Sequence, residues 1–177
     1  MNIPNPSGDR ISTTGSNSES KNCDRPSILQ YNTYSPLKES FLMYIIIYSD
    51  GASRRNPGPA GAGAVLLDEQ GNVLNKVCKY LGETTNNQAE YQAAILGLET
   101  ALKMGATRVQ LRADSELMVK QLLGQYRVKK PELKPLYDQV KSLLNQFESY
   151  APPEHVRRAN NALADAEANR AIDEYQS

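Results

Sequence analysis

A short, almost wholly apolar run, Tyr44 to Tyr48, is the feature that most limits how this chain can fold. The run is rich in β-branched and aromatic residues, which favour strands. A strand that is apolar on both faces must be covered on both faces, as in the centre of a sheet packed between helices. We therefore expect this segment to be a buried central strand.

The rest of the chain alternates strand and helix patterns. Two further strand patterns, 61–67 and 73–81, are separated by a turn, which predicts an antiparallel meander with the first strand. Beyond them we predict helices at 87–104, 115–123, 132–147 and 161–174, and strands at 109–113 and 154–157. The order βββαβααβα predicts an α/β fold, a five-stranded mixed sheet with helices on both faces.

Residues 1–42 differ in composition from the remainder. Ser, Asn, Pro and Thr dominate, and the apolar residues follow no period. Such a segment cannot bury enough apolar surface to offset the entropy of ordering it, so we predict a disordered tail at 1–42 and a folded domain at 43–177. The segment contains four acidic residues, which are unusual in a transit peptide, so we do not expect it to be one. A start of translation at Met43, just before the first strand, is the alternative.

Charge and composition exclude several classes of protein. Twenty basic and twenty acidic side chains give a formal net charge of zero, so binding to nucleic acid would have to come from local patches. The longest apolar run, 41–48, is too short to span a bilayer. Cys23 and Cys78 are too few for a disulfide framework or a four-ligand zinc site. With no signal peptide visible, we expect a cytoplasmic protein.

Four acidic residues fall where predicted elements begin or end. Asp50 follows the first strand and Asp114 ends the fourth, and the carboxyl ends of neighbouring parallel strands meet at one edge of a sheet. Glu90 lies one turn into the first helix, and Asp165 lies in the first turns of the last. Converging carboxylates repel each other unless cations lie among them, and Mg²⁺ fits such oxygen ligands best. Taken singly, each acid also fits a turn, a cap or a solvated surface.

The acids lie inside four longer motifs, at 48–63, 84–94, 113–115 and 161–169. Together these segments resemble type 1 ribonuclease H, in the short-loop form of archaea and some bacteria. The resemblance covers roughly residues 44 to 175. It implies the ribonuclease H-like fold, which agrees with the predicted order of elements.

The resemblance also implies an activity, the endonucleolytic cleavage of the RNA strand of RNA–DNA hybrids to give 5′-phosphate and 3′-hydroxyl ends. Asp50, Glu90, Asp114 and Asp165 match the four catalytic, metal-binding acids of the family. Two Mg²⁺ ions, with Mn²⁺ as a substitute, would activate a water and stabilise the leaving 3′-oxygen, as in-line displacement at a phosphodiester requires. We expect a monomer that needs neither a protein partner nor a membrane.

Eight further positions match segments of the family that contact the backbone of the hybrid. They are Ala52, Ser53, Asn56, Thr85, Asn86, Asn87, Arg157 and Arg158. The resemblance implies that Asn86 and the backbone at 52–53 read RNA 2′-hydroxyls, the groups that distinguish RNA from DNA, and that Thr85 contacts a DNA phosphate. A second interpretation is compatible with the first: Thr85 or Asn86 caps the helix that carries Glu90, and Asn56 begins a turn.

The chain departs from many relatives just before the last helix, where a loop carrying a histidine is missing. Arg157 or Arg158 would contact a phosphate in its place, and His155, the only histidine, falls in the predicted last strand and is expected to be structural. Four basic residues between two helices form either a reduced DNA-binding patch or an ordinary solvated linker: Arg127, Lys129, Lys130 and Lys134.

Two other functions compete with hybrid cleavage. One is a hybrid-binding or double-stranded-RNA-binding module that has lost cleavage, although a pure binder would not need the four acids. The other is the same fold with a different nuclease task, such as a transposase-like reaction or the cleavage of double-stranded RNA. The Thr84–Asn87 motif argues against a transposase, and double-stranded RNA stays open as a further substrate.

Overall fold

A computed structural model of the chain describes residues 42–176. Apart from Leu42, the predicted N-terminal tail lies outside the described residues, as does Cys23. The elements are β1 (Tyr44–Ser53), β2 (Gly58–Leu67), β3 (Val73–Thr84), α1 (Asn86–Lys103), β4 (Arg108–Ala113), α2 (Glu116–Leu122), α3 (Lys134–Leu144), β5 (Ser149–His155) and α4 (Ala162–Gln176). The predicted order of strands and helices is confirmed.

The five strands form one mixed sheet in the order β3-β2-β1-β4-β5. The antiparallel pairs β1–β2 and β2–β3 form the predicted meander, and β4 runs parallel to both β1 and β5. Ile45 and Ile47 of β1 are fully buried. The prediction that the first apolar run is the central strand is therefore confirmed.

Helices cover both faces of the sheet, as predicted. On one face, α1, α2 and α3 share a core with β1 and β4 that includes Ile47, Leu98 and Leu111. On the other face α4 lies directly against β2: a Cβ added to Gly63 would lie 2.3 Å from the backbone nitrogen of Ala168. The absence of a side chain at Gly63 thus lets α4 approach the sheet.

The predicted end of the first strand was wrong. Asp50 does not close β1, because β1 continues to Ser53. The parallel ladder with β4 ends at the pair Ser49–Ala113, whereas the antiparallel ladder with β2 continues to the pair Ser53–Ala60. Asp50 therefore lies in a strand, but just beyond the point where that strand loses its parallel neighbour.

Several other boundaries differ from the prediction, among them those of the last strand and of α3. The last strand begins at Ser149 instead of Glu154 and contains Pro152 and Pro153. Proline cannot donate to a β-ladder, and β5 tolerates it as an edge strand. Helix α3 begins only at Lys134, with a proline in its first turn.

Two further properties of the described residues concern the burial of Cys78 and the hydropathy of the helices. Cys78 lies in the third strand as expected, but it is only partly buried. Between residues 42 and 176 there is no helix long and apolar enough to cross a membrane.

Candidate active site

A cleft of about 390 Å³ lies at the end of the sheet where β1 and β4 stop pairing. It is lined by Asp50, Gly51, Ala52, Ser53, Arg54, Asn86, Glu90, Asp114, Arg158, Asp165 and Asn169. All four acids singled out in the sequence thus reach one cavity. They come from four separate elements or their ends: β1, α1, the residue after β4, and α4.

Three of the acids form a tight group. Asp50, Glu90 and Asp114 each offer a carboxylate oxygen, and these oxygens all lie within 4.8 Å of one another. Asp50 and Glu90 are only 4% and 5% exposed. Asp165 lines the same cleft, and its Oδ1 accepts a hydrogen bond from Arg158 Nη2 at 2.9 Å. The donor set consists of hard oxygen ligands, which fit a hard divalent cation.

The group is electrostatically strained without a cation. Burial raises the pKa of Asp50 to about 8, and the nearby carboxylates of Asp114 and Asp165 add to this effect. Burial also raises the pKa of Glu90 well above its usual range, with the charge of Asp50 as the next cause. Arg158 lowers the pKa of Asp50 and of Glu90, although it does not outweigh burial. A divalent ion among these oxygens would stabilise their ionised forms.

Gly51 explains how Glu90 comes close to Asp50. A Cβ added to Gly51 would lie 2.2 Å from the carbonyl carbon of Ala89 and 2.2 Å from the backbone nitrogen of Glu90. The backbone N–H of Gly51 donates to Glu90 Oε2 at 3.2 Å. The close approach of β1 to α1 therefore requires glycine here, and it places the Glu90 carboxylate in the acidic group.

The start of α1 is fixed by a capping box. Thr85 is the N-cap: its Oγ1 accepts from the backbone N–H of Gln88 at 3.3 Å, and Gln88 Oε1 accepts from the backbone N–H of Thr85 at 3.2 Å. Of the two residues expected to cap this helix, Thr85 and Asn86, Thr85 is the cap. The backbone N–H of Asn86 donates to Asn56 Oδ1 at 3.2 Å, which joins the two segments expected to contact substrate.

The remaining predicted substrate residues divide into two groups. Ala52, Ser53, Asn86 and Arg158 line the cleft. The others do not line it: Asn56, Thr85, Asn87 and Arg157. The choice between the two arginines, which the sequence left open, therefore favours Arg158 by position.

The cleft lining includes neither His155 nor any of the four basic residues Arg127, Lys129, Lys130 and Lys134. The His155 ring nitrogen Nε2 is 3.2 Å from the backbone carbonyl oxygen of Asp114, not from its carboxylate. Arg127 and Lys134 line a separate pocket together with Tyr126 and Tyr137.

Three residues near the acids were not singled out in the sequence. Arg54 lines the cleft and forms an ion pair with Asp173 of α4. Asn169 lines the cleft and donates from Nδ2 to the backbone oxygen of Asp165 at 2.9 Å. Asn161 is buried, and its Nδ2 donates to Asp114 Oδ1 at 3.3 Å. In the sequence, the only feature that could have pointed to Asn161 and Asn169 is that they are the first and last residues of the last motif.

The sequence of this chain is similar to those of several known proteins. The family described as "Reverse transcriptase-like" matches residues 48–171. The bifunctional protein Rv2228c of Mycobacterium tuberculosis is 45% identical over 132 residues, which are 74% of this chain and 36% of that protein. Ribonuclease HI of Halobacterium salinarum is 43% identical over 127 residues, which are 72% of this chain and 63% of that protein. This chain thus spans less than two thirds of the length of either relative.

A solved structure extends the similarity to the fold. The crystal structure of LC11-RNase H1 in complex with an RNA/DNA hybrid matches with a TM-score of 0.69 and 43% identity. The match covers 75% of this chain and 99% of that chain. Fold and sequence therefore point to the same group of proteins.

Proposed function

The chain belongs to the type 1 ribonuclease H family, and from this premise we propose that it is an endonuclease that hydrolyses the RNA strand of RNA–DNA hybrids. The observation that carries the proposal is the group formed by Asp50, Glu90 and Asp114, whose oxygens lie within 4.8 Å of one another, with Asp165 in the same cleft. A relative at 43% identity is described in complex with such a hybrid.

The four carboxylates would hold two divalent ions, which we propose to be Mg²⁺, with Mn²⁺ as a substitute. Bound there, the ions would supply the Lewis acidity that activates a water and stabilises the leaving 3′-oxygen, giving 5′-phosphate and 3′-hydroxyl ends. The protein's own part is to fix the oxygens before substrate arrives. Burial of Asp50 and Glu90 serves this purpose, because buried side chains have few other conformations to adopt.

Recognition of the RNA strand is assigned to the rim of the cleft. Ala52 and Ser53 can offer backbone groups there, and Asn86 can offer a side-chain amide that both donates and accepts. A 2′-hydroxyl also donates and accepts, so these groups suit RNA. Asn56, Thr85 and Asn87 belong to the adjoining segments and are proposed to contact sugars and phosphates beside the scissile bond.

Arg158 is proposed to contact a phosphate next to the acids. Its side chain is 79% exposed, and within the cleft its guanidinium forms an ion pair with the Asp165 carboxylate. A guanidinium can bind phosphate oxygens through paired hydrogen bonds. Arg157 lies outside the cleft lining, so we assign this contact to Arg158 alone.

The remaining assignments follow the sequence. We propose a catalytic domain at 43–177, a monomer in solution, and a cytoplasmic location. Double-stranded RNA is a second substrate to be tested beside the hybrid.

The test is a cleavage assay on an end-labelled RNA–DNA hybrid in Mg²⁺ and then in Mn²⁺. Single-stranded RNA, double-stranded RNA and a single ribonucleotide in DNA serve as comparison substrates, and Asp50→Asn serves as the inactive control. Cleavage of the hybrid RNA strand to 5′-phosphate products, lost in Asp50→Asn, is the expected result. A hybrid that is bound but uncut in both metals would refute the proposal in favour of a binding module.

A further inference from the structure

Asn161 occupies an unusual position for a polar side chain. It follows a short 3-10 turn at Arg158–Asn160, immediately precedes α4, and is only 1% exposed. Its backbone carbonyl accepts the N–H of Asp165 at 3.1 Å, which makes it the residue that begins the hydrogen-bonding of α4. A helix-capping asparagine is usually near the surface, and this one is buried under the acidic cleft.

The side-chain amide of Asn161 binds two acceptors from different strands. Nδ2 donates to the backbone oxygen of Ser49 at 3.0 Å and to Asp114 Oδ1 at 3.3 Å. A carbonyl and a carboxylate can only accept, so the nitrogen of the amide must face them. The two hydrogens of this nitrogen are therefore used by β1 and by the carboxylate that follows β4.

These contacts connect the elements that carry three of the four acids. Ser49 immediately precedes Asp50, Asp114 is itself one of the acids, and Asp165 is bonded to the backbone of Asn161. A displacement of Asn161 would thus change the relative positions of all three carboxylates. Among residues 42–176, no other side chain donates hydrogen bonds to both the β1 backbone and the Asp114 carboxylate.

The other atom of the same amide shows that the arrangement is not optimal for stability. Asn161 Oδ1 is buried and has no hydrogen-bond partner among the described residues. An unsatisfied buried acceptor destabilises the folded state. The oxygen of this amide therefore caps no N–H of α4, and the nitrogen that reaches the cleft is the bonded half of the side chain.

We propose that Asn161 is a positioning residue of the metal site. It holds Oδ1 of Asp114 through the amide, so that this carboxylate keeps one orientation and presents its other oxygen to the cleft. It also fixes the start of α4, and with it Asp165, against the end of β1. This inference rests on the proposed function, because it concerns the same four acids, and it adds a residue that touches neither metal nor substrate.

The test measures Mg²⁺ binding by titration calorimetry without substrate, on the full chain. Asn161→Ala is expected to weaken Mg²⁺ affinity about 10-fold to 100-fold, the usual effect of removing a group that orients a metal ligand. Asn160→Ala, at the exposed neighbouring position, is the matched control and should bind Mg²⁺ as the unaltered protein does. Val140→Ala is a second control. Val140 is a fully buried residue of α3 that does not line the cleft, so its truncation should lower the Tm without altering the cleft.

The outcomes separate this inference from the proposed function. If the unaltered protein neither binds Mg²⁺ nor cleaves a hybrid, the proposed function fails. If it does both and Asn161→Ala binds Mg²⁺ with unaltered affinity, only the positioning role is refuted. The same follows if Val140→Ala weakens binding as much, since the loss would then reflect stability.

A variant that keeps the amide covers the case in which Asn161→Ala does not fold. Asn161→Gln retains the N–H donor but moves it by one methylene. Its Mg²⁺ affinity should be lower than that of the unaltered protein and higher than that expected for Asn161→Ala. An affinity equal to that of the unaltered protein would again refute the positioning role.

Discussion

The backbone N–H of Gly51 donates to the carboxylate of Glu90 at 3.2 Å, and this contact joins the central strand to the first helix. The two residues come together because Gly51 has no side chain: a Cβ would overlap the backbone at Ala89 and Glu90. The residue directly after Asp50 thus sets the distance between two of the proposed metal ligands. One backbone position controls the geometry of the acidic group.

Gly51→Ala is expected to abolish most activity. The added methyl group must push β1 and α1 apart, and a displacement near 1 Å at reacting groups costs roughly 100-fold in rate. Hybrid cleavage rate and Tm should both be measured, and both should fall. Gly71→Asn is the control, because Gly71 has a φ of +86° and no atom within 4 Å of an added Cβ, and asparagine tolerates that conformation. Full activity in Gly51→Ala would contradict the packing argument.

The sequence predicted the centre of the fold and much of the cleft for clear physical reasons. An apolar β-rich run has few places in a domain other than the middle of a sheet, so β1 was placed correctly. Asp50 and Asp114 could be paired because each comes one residue after the last parallel pair of β1 and β4, Ser49–Ala113.

Other parts of the site could not be predicted from local patterns. An asparagine before a helix is expected to be a cap, and nothing local shows that the amide of Asn161 reaches Ser49, 112 residues earlier in the chain. Arg157 and Arg158 are adjacent and chemically identical, and only the geometry of the turn places one of them in the cleft. The end of β1 was misjudged because it depends on pairing with β2.

Asp50→Asn is expected to stabilise the metal-free protein while it abolishes cleavage. Burial raises the pKa of Asp50 from 3.8 to about 8, and a carboxyl group shifted in this direction loses folding stability as the pH rises from the unfolded towards the folded pKa. The neutral amide avoids this loss, and a gain on the order of 2 kcal/mol at pH 8 would raise the Tm by roughly 5 °C. The difference should vanish near pH 4.

Thermal unfolding in the presence of a chelator, from pH 4 to pH 9, measures this difference. Glu69→Gln, at an exposed turn position, is the matched control, and its Tm should track that of the unaltered protein at every pH. An Asp50→Asn variant that is less stable than the unaltered protein at pH 8 would show that the carboxylate is not under electrostatic strain.

Binding of Mg²⁺ is expected to strengthen as the pH rises and to release protons. The ion requires the ionised carboxylate, and Asp50 and Glu90 both have raised pKa values. The increase in Tm produced by a fixed Mg²⁺ concentration should therefore be larger at pH 8.5 than at pH 6. Calorimetry in two buffers of different ionisation enthalpy counts the protons released. A pH-independent affinity with no proton release would contradict the raised pKa values.

Arg158→Ala is expected to reduce kcat/KM on the hybrid by about 10-fold to 100-fold, since a charge-assisted contact to phosphate contributes roughly 1.5 to 3 kcal/mol. Arg157→Ala is the matched control: it removes the same charge from the adjacent position, which lies outside the cleft lining, and should change kcat/KM by less than about 3-fold, as for a screened surface charge. Equal losses in both variants would show that the positive charge of the segment matters, and not the placement of one guanidinium beside Asp165.

Arg158→Lys separates charge from geometry, because an ammonium keeps the charge but cannot make the paired hydrogen bonds. Partial activity in that variant is the result that the geometry of the cleft predicts.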